Sequence, residues 1–220
     1  MNTFEYIDGR LHCEDVDLSI LGETYGTPSY VYSKKTIHEN AKAYVNSFTN
    51  SDNLACFAVK SLSNLSILNI IKNSGCGFDI VSGGELHRVL SIGAEPKKVI
   101  FSGVGKTKKE IEQGINSGIL SFNVESASEL YRIEKVADEI GSPAPISIRI
   151  NPNIDSGGHD YITTGRKGDK FGISETRKII DLCKHAHQAK HLKIVGLACH
   201  IGSQILDLDG FIKSADKIFE

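Results

Sequence analysis

Lys60 is the residue of this sequence with the clearest chemical potential. It follows the apolar run of residues 54–59 (LACFAV), which lies between the polar Asn53 and Ser61. A continuous apolar run of this length is typical of a strand that is buried on both faces. A lysine that closes such a strand either reaches solvent or needs a partner or a chemical role, because burying an unpaired ammonium is costly. In apolar surroundings the neutral amine is favoured and can attack a carbonyl carbon, which is the chemistry of a Schiff-base lysine.

Short apolar segments alternate with helix-like segments along most of the chain. Strands are predicted at residues 28–32, 54–59, 77–81, 98–101, 120–124, 146–150 and 194–199. Helix starts are predicted from capping residues, among them Ser33, Thr107 with Glu110, and a capping box of Ser126 with Glu129. This alternation is typical of βαβ units in a parallel sheet. Seven strands favour a (β/α)₈ barrel of the TIM type over a doubly wound sheet, and no G-x-G-x-x-G motif follows the first strand.

Polar residues lie within or directly after the predicted strands, near the end where such barrels bind their ligands. In chain order they are Lys60, Asp79, Ser102 with Gly103, Glu125, Arg149 and His200. Each also has a structural explanation. Asp79 could pair with Lys60 or cap the next helix, Arg149 could pair with Glu125, and His200 could be a core histidine. Their convergence on one rim predicts a functional site.

Two loops add to this prediction. Gly202 and Ser203 follow the seventh predicted strand and suit a phosphate group, since the loops at this place in a barrel commonly bind one. The loop of residues 155–171 is long enough to be functional or disordered. It carries His159, Arg166, Lys167 and Lys170, and this polarity fits a lid, an anionic substrate or a solvated excursion.

Composition excludes several classes of protein. The 25 basic and 27 acidic residues give a net charge of −2, so no basic face for nucleic acid is indicated. No apolar run approaches the roughly 20 residues of a membrane span, and the first residues lack the features of a signal peptide. Five cysteines without a C-x-x-C pair argue against a disulfide framework or a zinc site. We therefore expect reduced thiols in a cytoplasmic protein, with no metal ion.

The two ends of the chain differ from its middle. Residues 1–26 form a lead-in outside the repeating pattern, and residues 27–220 form the barrel segment. Residues 209–220 have the pattern of an unfinished helix, without a terminating glycine or proline. An eighth strand is missing, so we expect a barrel that is incomplete at the C-terminus. Such a chain should be less stable than a closed barrel, because an open parallel sheet exposes its edges.

Five stretches, taken in order, resemble the diaminopimelate decarboxylase family. They are residues 56–61 (CFAVKS), 77–86 (GFDIVSGGEL), 149–154 (RINPNI), 164–173 (TGRKGDKFGI) and 199–204 (CHIGSQ). That family belongs to the fold-type III decarboxylases, which use pyridoxal 5′-phosphate (PLP). The first two stretches and the last also fit ornithine and arginine decarboxylases, whereas the other two are more specific to the diaminopimelate branch.

The resemblance implies a fold, a cofactor and roles for individual residues. The fold is a barrel of the alanine-racemase-like kind, and the cofactor is PLP. Lys60 matches the lysine that binds the cofactor covalently, and His200 matches the histidine that stacks on its ring, so both are assigned to catalysis. The remaining cofactor-binding residues are a phosphate contact at Gly202 with Ser203 and two polar residues near the ring, Asp79 and Arg149.

The resemblance also implies an activity. The expected reaction is the decarboxylation of meso-2,6-diaminopimelate to L-lysine in a homodimer whose subunits share their active sites. Residues 1–26 would belong to a β-domain, whose remainder carries further cofactor-binding and substrate-binding residues and lies beyond residue 220. The alternatives are a decarboxylase of another amino acid, a PLP-binding barrel without catalysis, and an inactive gene fragment. The loop of residues 155–171 favours an enzyme.

Overall fold

A small antiparallel sheet occupies the start of the chain. The structure is a computed structural model, and it describes residues 3–47, 52–154, 171–203, 205 and 207–219. Strands β1 (Phe4–Ile7), β2 (Arg10–Cys13) and β3 (Val16–Asp17) pair in that order, and helix α1 (Leu18–Tyr25) follows. Asp17 caps α1 by accepting a hydrogen bond of 2.8 Å from the Ser19 N–H. The sequence pattern did not reveal this sheet, because its strands are short and largely exposed.

The strand predicted at residues 28–32 is not formed, and this prediction is wrong. No sheet pairing includes these residues, and Tyr30 is 91% exposed. A strand exists only where its backbone groups have a partner, and residues 28–32 pair with no neighbour in the described sheets. The next helix, α2 (Lys34–Asn46), begins as predicted after Ser33, whose Oγ accepts a hydrogen bond of 3.0 Å from the Thr36 N–H.

Six parallel strands form the main sheet, in chain order from one edge to the other. They are β4 (Cys56–Ala58), β5 (Gly77–Ile80), β6 (Val99–Phe101), β7 (Ser121–Val124), β8 (Ala144–Ile150) and β9 (Leu192–Cys199). The helices between them are α3 (Leu65–Asn73), α4 (Gly83–Ser91), α5 (Lys108–Ser117), α6 (Ala127–Ile140) and α7 (Thr176–Gln188), and α8 (Asp209–Phe219) follows β9. This arrangement is the first part of a (β/α)₈ barrel and confirms the predicted fold class.

The two faces of the sheet differ in polarity. Phe78, Ile80 and Phe122 are almost completely buried and belong to the apolar core shared with the helices. Because side chains alternate across a strand, the residues between them face the other way. That inner face carries the polar side chains Asp79, Ser121, Asn123, Ser147 and Arg149. The same strands therefore build the core on one side and present polar groups on the other.

Acidic side chains fix the starts of the helices that follow the strands. Thr107 and Glu110 form the full capping box of α5. Ser126 caps α6 as predicted, but the carboxylate of Glu129 does not return to the Ser126 N–H. Its Oε2 instead accepts a hydrogen bond of 2.7 Å from the Glu125 N–H, and its Oε1 accepts one of 2.6 Å from Lys106 Nζ. The predicted capping box of α6 is half formed, because a buried lysine competes for Glu129.

All five cysteines are free thiols, as expected from their spacing. Burial, with the nearby carboxylate of Asp79, raises the pKa of Cys56 to about 12. This thiol is protonated at neutral pH and is not a nucleophile.

Across the described residues, no helix has the length and apolar character needed to cross a membrane.

Candidate active site

Lys60 lies directly after the first strand of the parallel sheet. It is the central residue of a one-turn 3₁₀ helix, Val59–Ser61, which is closed by a hydrogen bond of 3.0 Å from the Leu62 N–H to the Val59 carbonyl. Val59 is buried, whereas Lys60 is exposed. The strand is shorter than the predicted residues 54–59, and the lysine is not enclosed by apolar side chains. Its amine instead stands at the carboxyl end of the sheet, where a ligand can reach it.

Asp79 lies in β5 and faces the polar side of the sheet. Ser102 Oγ donates a hydrogen bond of 2.5 Å to Asp79 Oδ1. Burial raises the pKa of Asp79, while the bond from Ser102 and the positive charges of Lys60 and Arg149 oppose this rise. Asp79 does not cap the next helix, because Ser82 fills that position. Asp79 is therefore a carboxyl group that lies near the positive charges of Lys60 and Arg149 at the mouth of the sheet.

Arg149 and Glu125 form the ion pair that the sequence suggested. Arg149 Nη1 lies 2.9 Å from Glu125 Oε1, and both side chains are largely shielded from solvent. The contact is ionic rather than a hydrogen bond, since neither carboxylate oxygen of Glu125 has a hydrogen-bonding partner among the described atoms. The guanidinium of Arg149 also lies 5.4 Å from the centre of the Phe171 ring. These contacts fix the position of the guanidinium at the end of β8.

Two of the motifs quoted above meet in space beside this arginine. The Ile173 N–H donates a hydrogen bond of 2.9 Å to the Arg149 carbonyl, and the Asn151 N–H donates one of 3.0 Å to the Ile173 carbonyl. Gly172 permits this approach because its φ is +81°, and a Cβ there would lie 3.1 Å from the Asn151 nitrogen. The predicted loop of residues 155–171 lies outside the described residues, apart from Phe171.

His200 follows β9 at the opposite edge of the sheet from Lys60. It is exposed, so the alternative of a core histidine is wrong. The atoms around it still desolvate the imidazole, and this effect, with the positive charges of Arg149 and Lys60, lowers its pKa. Gly202 has a φ of 147°, which favours glycine, and Ser203 follows it at the surface. Both residues stand at the carboxyl end of β9, as the sequence predicted.

Four of these side chains are linked by electrostatic interactions. The charges of Lys60 and Arg149 act on both Asp79 and His200. These residues come from β5, β8 and the segments after β4 and β9, which span the whole parallel sheet. Curvature of the sheet therefore brings its two edge strands to one polar mouth.

Two polar residues of this region, Asn123 and Lys106, were not predicted as site residues. Asn123 Nδ2 donates a hydrogen bond of 3.0 Å to Ser102 Oγ, which extends the contact at Asp79. Lys106 is fully buried, and its Nζ donates to the Gly103 and Asn123 carbonyls and to Glu129. The alternation Ser121-Phe122-Asn123-Val124 was the available signal for Asn123. No local pattern marks Lys106, because two of these three partners, Asn123 and Glu129, are 17 and 23 residues further along the chain.

The lowered pKa of His200 predicts a specific dependence of stability on pH. The unfolded chain protonates this imidazole near its ordinary pKa of 6.5, whereas the folded chain resists protonation until lower pH. The unfolded state therefore binds more protons in that interval, and the contribution of His200 to stability is lost as pH falls below 6.5. We expect His200→Gln to gain stability relative to the native chain on acidification, as measured by urea unfolding at several pH values. A difference between the two proteins that stays constant with pH would contradict this assignment.

The fold and its polar mouth define a parallel α/β barrel segment with an exposed lysine at the end of its first strand. A family model described as "Pyridoxal-dependent decarboxylase, pyridoxal binding domain" matches residues 34–220. The chain belongs to this family.

Individual relatives give a finer comparison. Diaminopimelate decarboxylase of Pseudomonas aeruginosa is 45% identical over 220 residues, which cover 99% of this chain and 52% of the relative. The structure of diaminopimelate decarboxylase from Helicobacter pylori complexed with L-lysine is 42% identical with a TM-score of 0.89, covering 92% of this chain and 51% of that one. The corresponding M. jannaschii complex is 37% identical with a TM-score of 0.88, covering 99% and 52%. The chain thus spans about half the length of the curated relatives it matches.

Proposed function

We propose that this chain is the cofactor-binding part of a diaminopimelate decarboxylase, which converts meso-2,6-diaminopimelate to L-lysine and CO₂. The observation that carries the proposal is the convergence of Lys60, Asp79, Arg149 and His200 on one mouth. The 45% identity to the P. aeruginosa diaminopimelate decarboxylase supports this substrate over other amino acids.

The residues at the mouth fit PLP as the cofactor. Lys60 supplies an exposed amine for its aldehyde, and His200 supplies an aromatic ring that can lie against the pyridine. Gly202 and Ser203 supply a turn with backbone N–H groups and a hydroxyl for the phosphate. When bound, PLP provides an electron sink that lowers the barrier to loss of CO₂ from the substrate. In this proposal Lys60, His200, Gly202 and Ser203 keep the roles that the sequence predicts for them.

Each residue has a defined task in this proposal. The amine of Lys60 would hold the cofactor through its aldehyde, and the bound cofactor would supply the covalent link to the amino group of the substrate. His200 is uncharged at neutral pH because its pKa is lowered, so it can stack without bringing a second positive charge. The carboxylate of Asp79 offsets the positive charges of the mouth. Glu125 holds Arg149, which keeps the guanidinium in a fixed place.

The remaining assignments concern the whole protein. We propose that residues 1–26 belong to a second, β-rich domain and residues 27–220 to the barrel, which agrees with a family match that begins at residue 34. The six-stranded sheet needs further strands to close, and we assign them to a second half that also completes a homodimer. The five free thiols suit a reducing compartment, which we take to be the cytoplasm.

The substrate can be tested with the chain joined to the remaining half of the P. aeruginosa relative. We expect this protein, supplied with PLP, to form L-lysine and CO₂ from meso-2,6-diaminopimelate, measured by liquid chromatography and CO₂ capture. The intact P. aeruginosa protein serves as the positive control. Turnover of ornithine or arginine in preference to diaminopimelate would overturn the substrate assignment. No turnover of any of the three would overturn the proposed activity.

A further inference from the structure

A chain of hydrogen bonds crosses three neighbouring strands directly beside the proposed cofactor site. Asn123 Nδ2 donates to Ser102 Oγ at 3.0 Å, and Ser102 Oγ donates to Asp79 Oδ1 at 2.5 Å. Asp79 lies in β5, Ser102 follows β6 and Asn123 lies in β7. The register pairs Asp79 with Ile100 and Phe101 with Phe122, so Ser102 and Asn123 lie level with each other and two residues further along the sheet than Asp79. The arrangement has a direction, because a carboxylate accepts and an amide N–H₂ donates.

Each member of this chain is fixed by its backbone. The Ser102 N–H donates a hydrogen bond of 2.7 Å to the Ile80 carbonyl, which holds Ser102 beside the end of β5. The Asn123 carbonyl accepts a hydrogen bond of 2.9 Å from the buried Lys106. The amide of Asn123 occupies an acceptor site of the Ser102 hydroxyl, which leaves the hydroxyl proton for Asp79. Hydrogen bonds arranged in this way strengthen one another.

We propose that Ser102, held by Asn123, is a positioning residue that fixes the carboxyl group of Asp79 at the proposed cofactor site. This inference rests on the proposed function, because it assigns Ser102 a task at the same cofactor site. The bond from Ser102 is made to Oδ1, and in this proposal Oδ2 is the oxygen that faces the positive charges of the mouth. These positive charges are those of Lys60 and Arg149.

The electrostatics of Asp79 give this proposal a measurable sign. Burial raises the pKa of Asp79, and the hydrogen bond from Ser102 is the largest of the effects that lower it. Removing the hydroxyl therefore moves the titration of Asp79 to higher pH, and the carboxyl group becomes protonated more readily. A substitution that only loosened the fold would expose Asp79 to water and move its titration in the opposite direction, to lower pH.

The first test measures Asp79 itself, without cofactor. The carboxyl carbons of aspartate are labelled with ¹³C, Asp79 is assigned by comparison with Asp79→Asn, and its titration is followed by NMR. We expect Ser102→Ala to shift the titration to higher pH and Ser102→Thr, which keeps a hydroxyl, to restore it. Ser121→Ala is the matched control, because Ser121 is a buried serine of the same sheet that pairs with Ser147 at 2.8 Å. An unchanged titration in Ser102→Ala overturns the proposal.

The second test asks whether the effect reaches Lys60. The chain is incubated with PLP at several pH values, reduced with borohydride, and the label on Lys60 is quantified by mass spectrometry. We expect Ser102→Ala to raise the PLP concentration for half-maximal labelling at pH 7 by about tenfold, the scale of one hydrogen bond to a charged group. The same substitution in an Asp79→Asn background should have no further effect, because Asp79 mediates it. An equal loss in that background overturns the positioning role.

The two tests separate this inference from the proposed function. Absence of labelling in the native chain counts against PLP binding at Lys60, and the NMR titration then decides the role of Ser102 alone. Labelling in the native chain with no response to Ser102→Ala leaves the proposed function supported and removes the positioning role.

Discussion

Lys60→Ala is expected to abolish the covalent attachment of PLP to this chain. The amine of Lys60 is the group at the mouth that can form a bond with the cofactor aldehyde, and alanine removes it completely. The measurement is the intact mass after incubation with PLP and reduction by borohydride, followed by peptide mapping. The native chain should carry its label on the peptide that contains Lys60, and the variant should carry none at that site.

Two further variants make this result specific. Lys60→Arg keeps a positive charge but lacks a nucleophilic amine, so it should lose the label as completely as the alanine variant. Lys108→Ala removes a lysine that is exposed at the start of α5 and pairs with Glu139, and it should leave labelling unchanged. Undiminished label in Lys60→Ala, mapped to another lysine, would contradict the assignment of Lys60.

The sequence was sufficient for most of the parallel sheet. Strands such as Gly77–Ile80 and Ser121–Val124 are short runs with β-branched and aromatic residues, and polar capping residues follow them. A capping serine or threonine with glutamate three residues later satisfies the free N–H groups of a helix locally. These signals depend on neighbours in sequence, and for that reason they predicted the starts of α5 and α6 without knowledge of the fold.

The segments that failed depend on partners elsewhere. Residues 28–32 have the composition of a strand, but they find no pairing partner in the described sheets. The first sheet, β1 to β3, has little buried surface, and its pattern was correspondingly weak. Lys60 was placed correctly in sequence but was expected in apolar surroundings, and the turn Val59–Ser61 carries it out to the surface.

The residues of the site could be predicted from the sequence, but the hydrogen bonds between them could not. The carboxyl ends of parallel strands meet at one edge, and this rule alone brought Asp79, Arg149 and His200 together. The hydrogen bonds from Asn123 through Ser102 to Asp79 could not be derived from the sequence. They require three strands at a particular register, and register is a property of the assembled sheet.

Lys106→Met is expected to destabilise the fold by about 3–5 kcal/mol, the usual cost of breaking a buried ion pair. Lys106 has no exposed side-chain surface, and its Nζ lies 2.6 Å from Glu129 Oε1. Its other two hydrogen bonds go to the Gly103 and Asn123 carbonyls. Methionine has a similar length but no donor, so it leaves a buried carboxylate and two carbonyls without their partner. Urea-induced unfolding of the variant and the native chain measures the loss.

Lys108→Met is the matched control for this substitution. Lys108 also pairs with a glutamate at 2.6 Å, but that pair with Glu139 is exposed to solvent. An exposed pair contributes little, because water and salt screen the charges and the ordered side chains lose entropy. We therefore expect no measurable change in the free energy of unfolding for Lys108→Met. Equal losses for the two variants would show that burial does not set the strength of the Lys106 contact.

A second substitution measures how much of the lost stability comes from the unpaired carboxylate of Glu129 and how much from the changed packing at Lys106. Glu129→Gln, combined with Lys106→Met, removes the unpaired carboxylate and retains an amide oxygen that can accept the Glu125 N–H. The double variant should therefore be more stable than Lys106→Met alone, because an uncompensated buried charge costs more than a buried amide. If the double variant is instead less stable, the carboxylate of Glu129 contributes through its hydrogen bond with the Glu125 N–H and not through its pairing with Lys106.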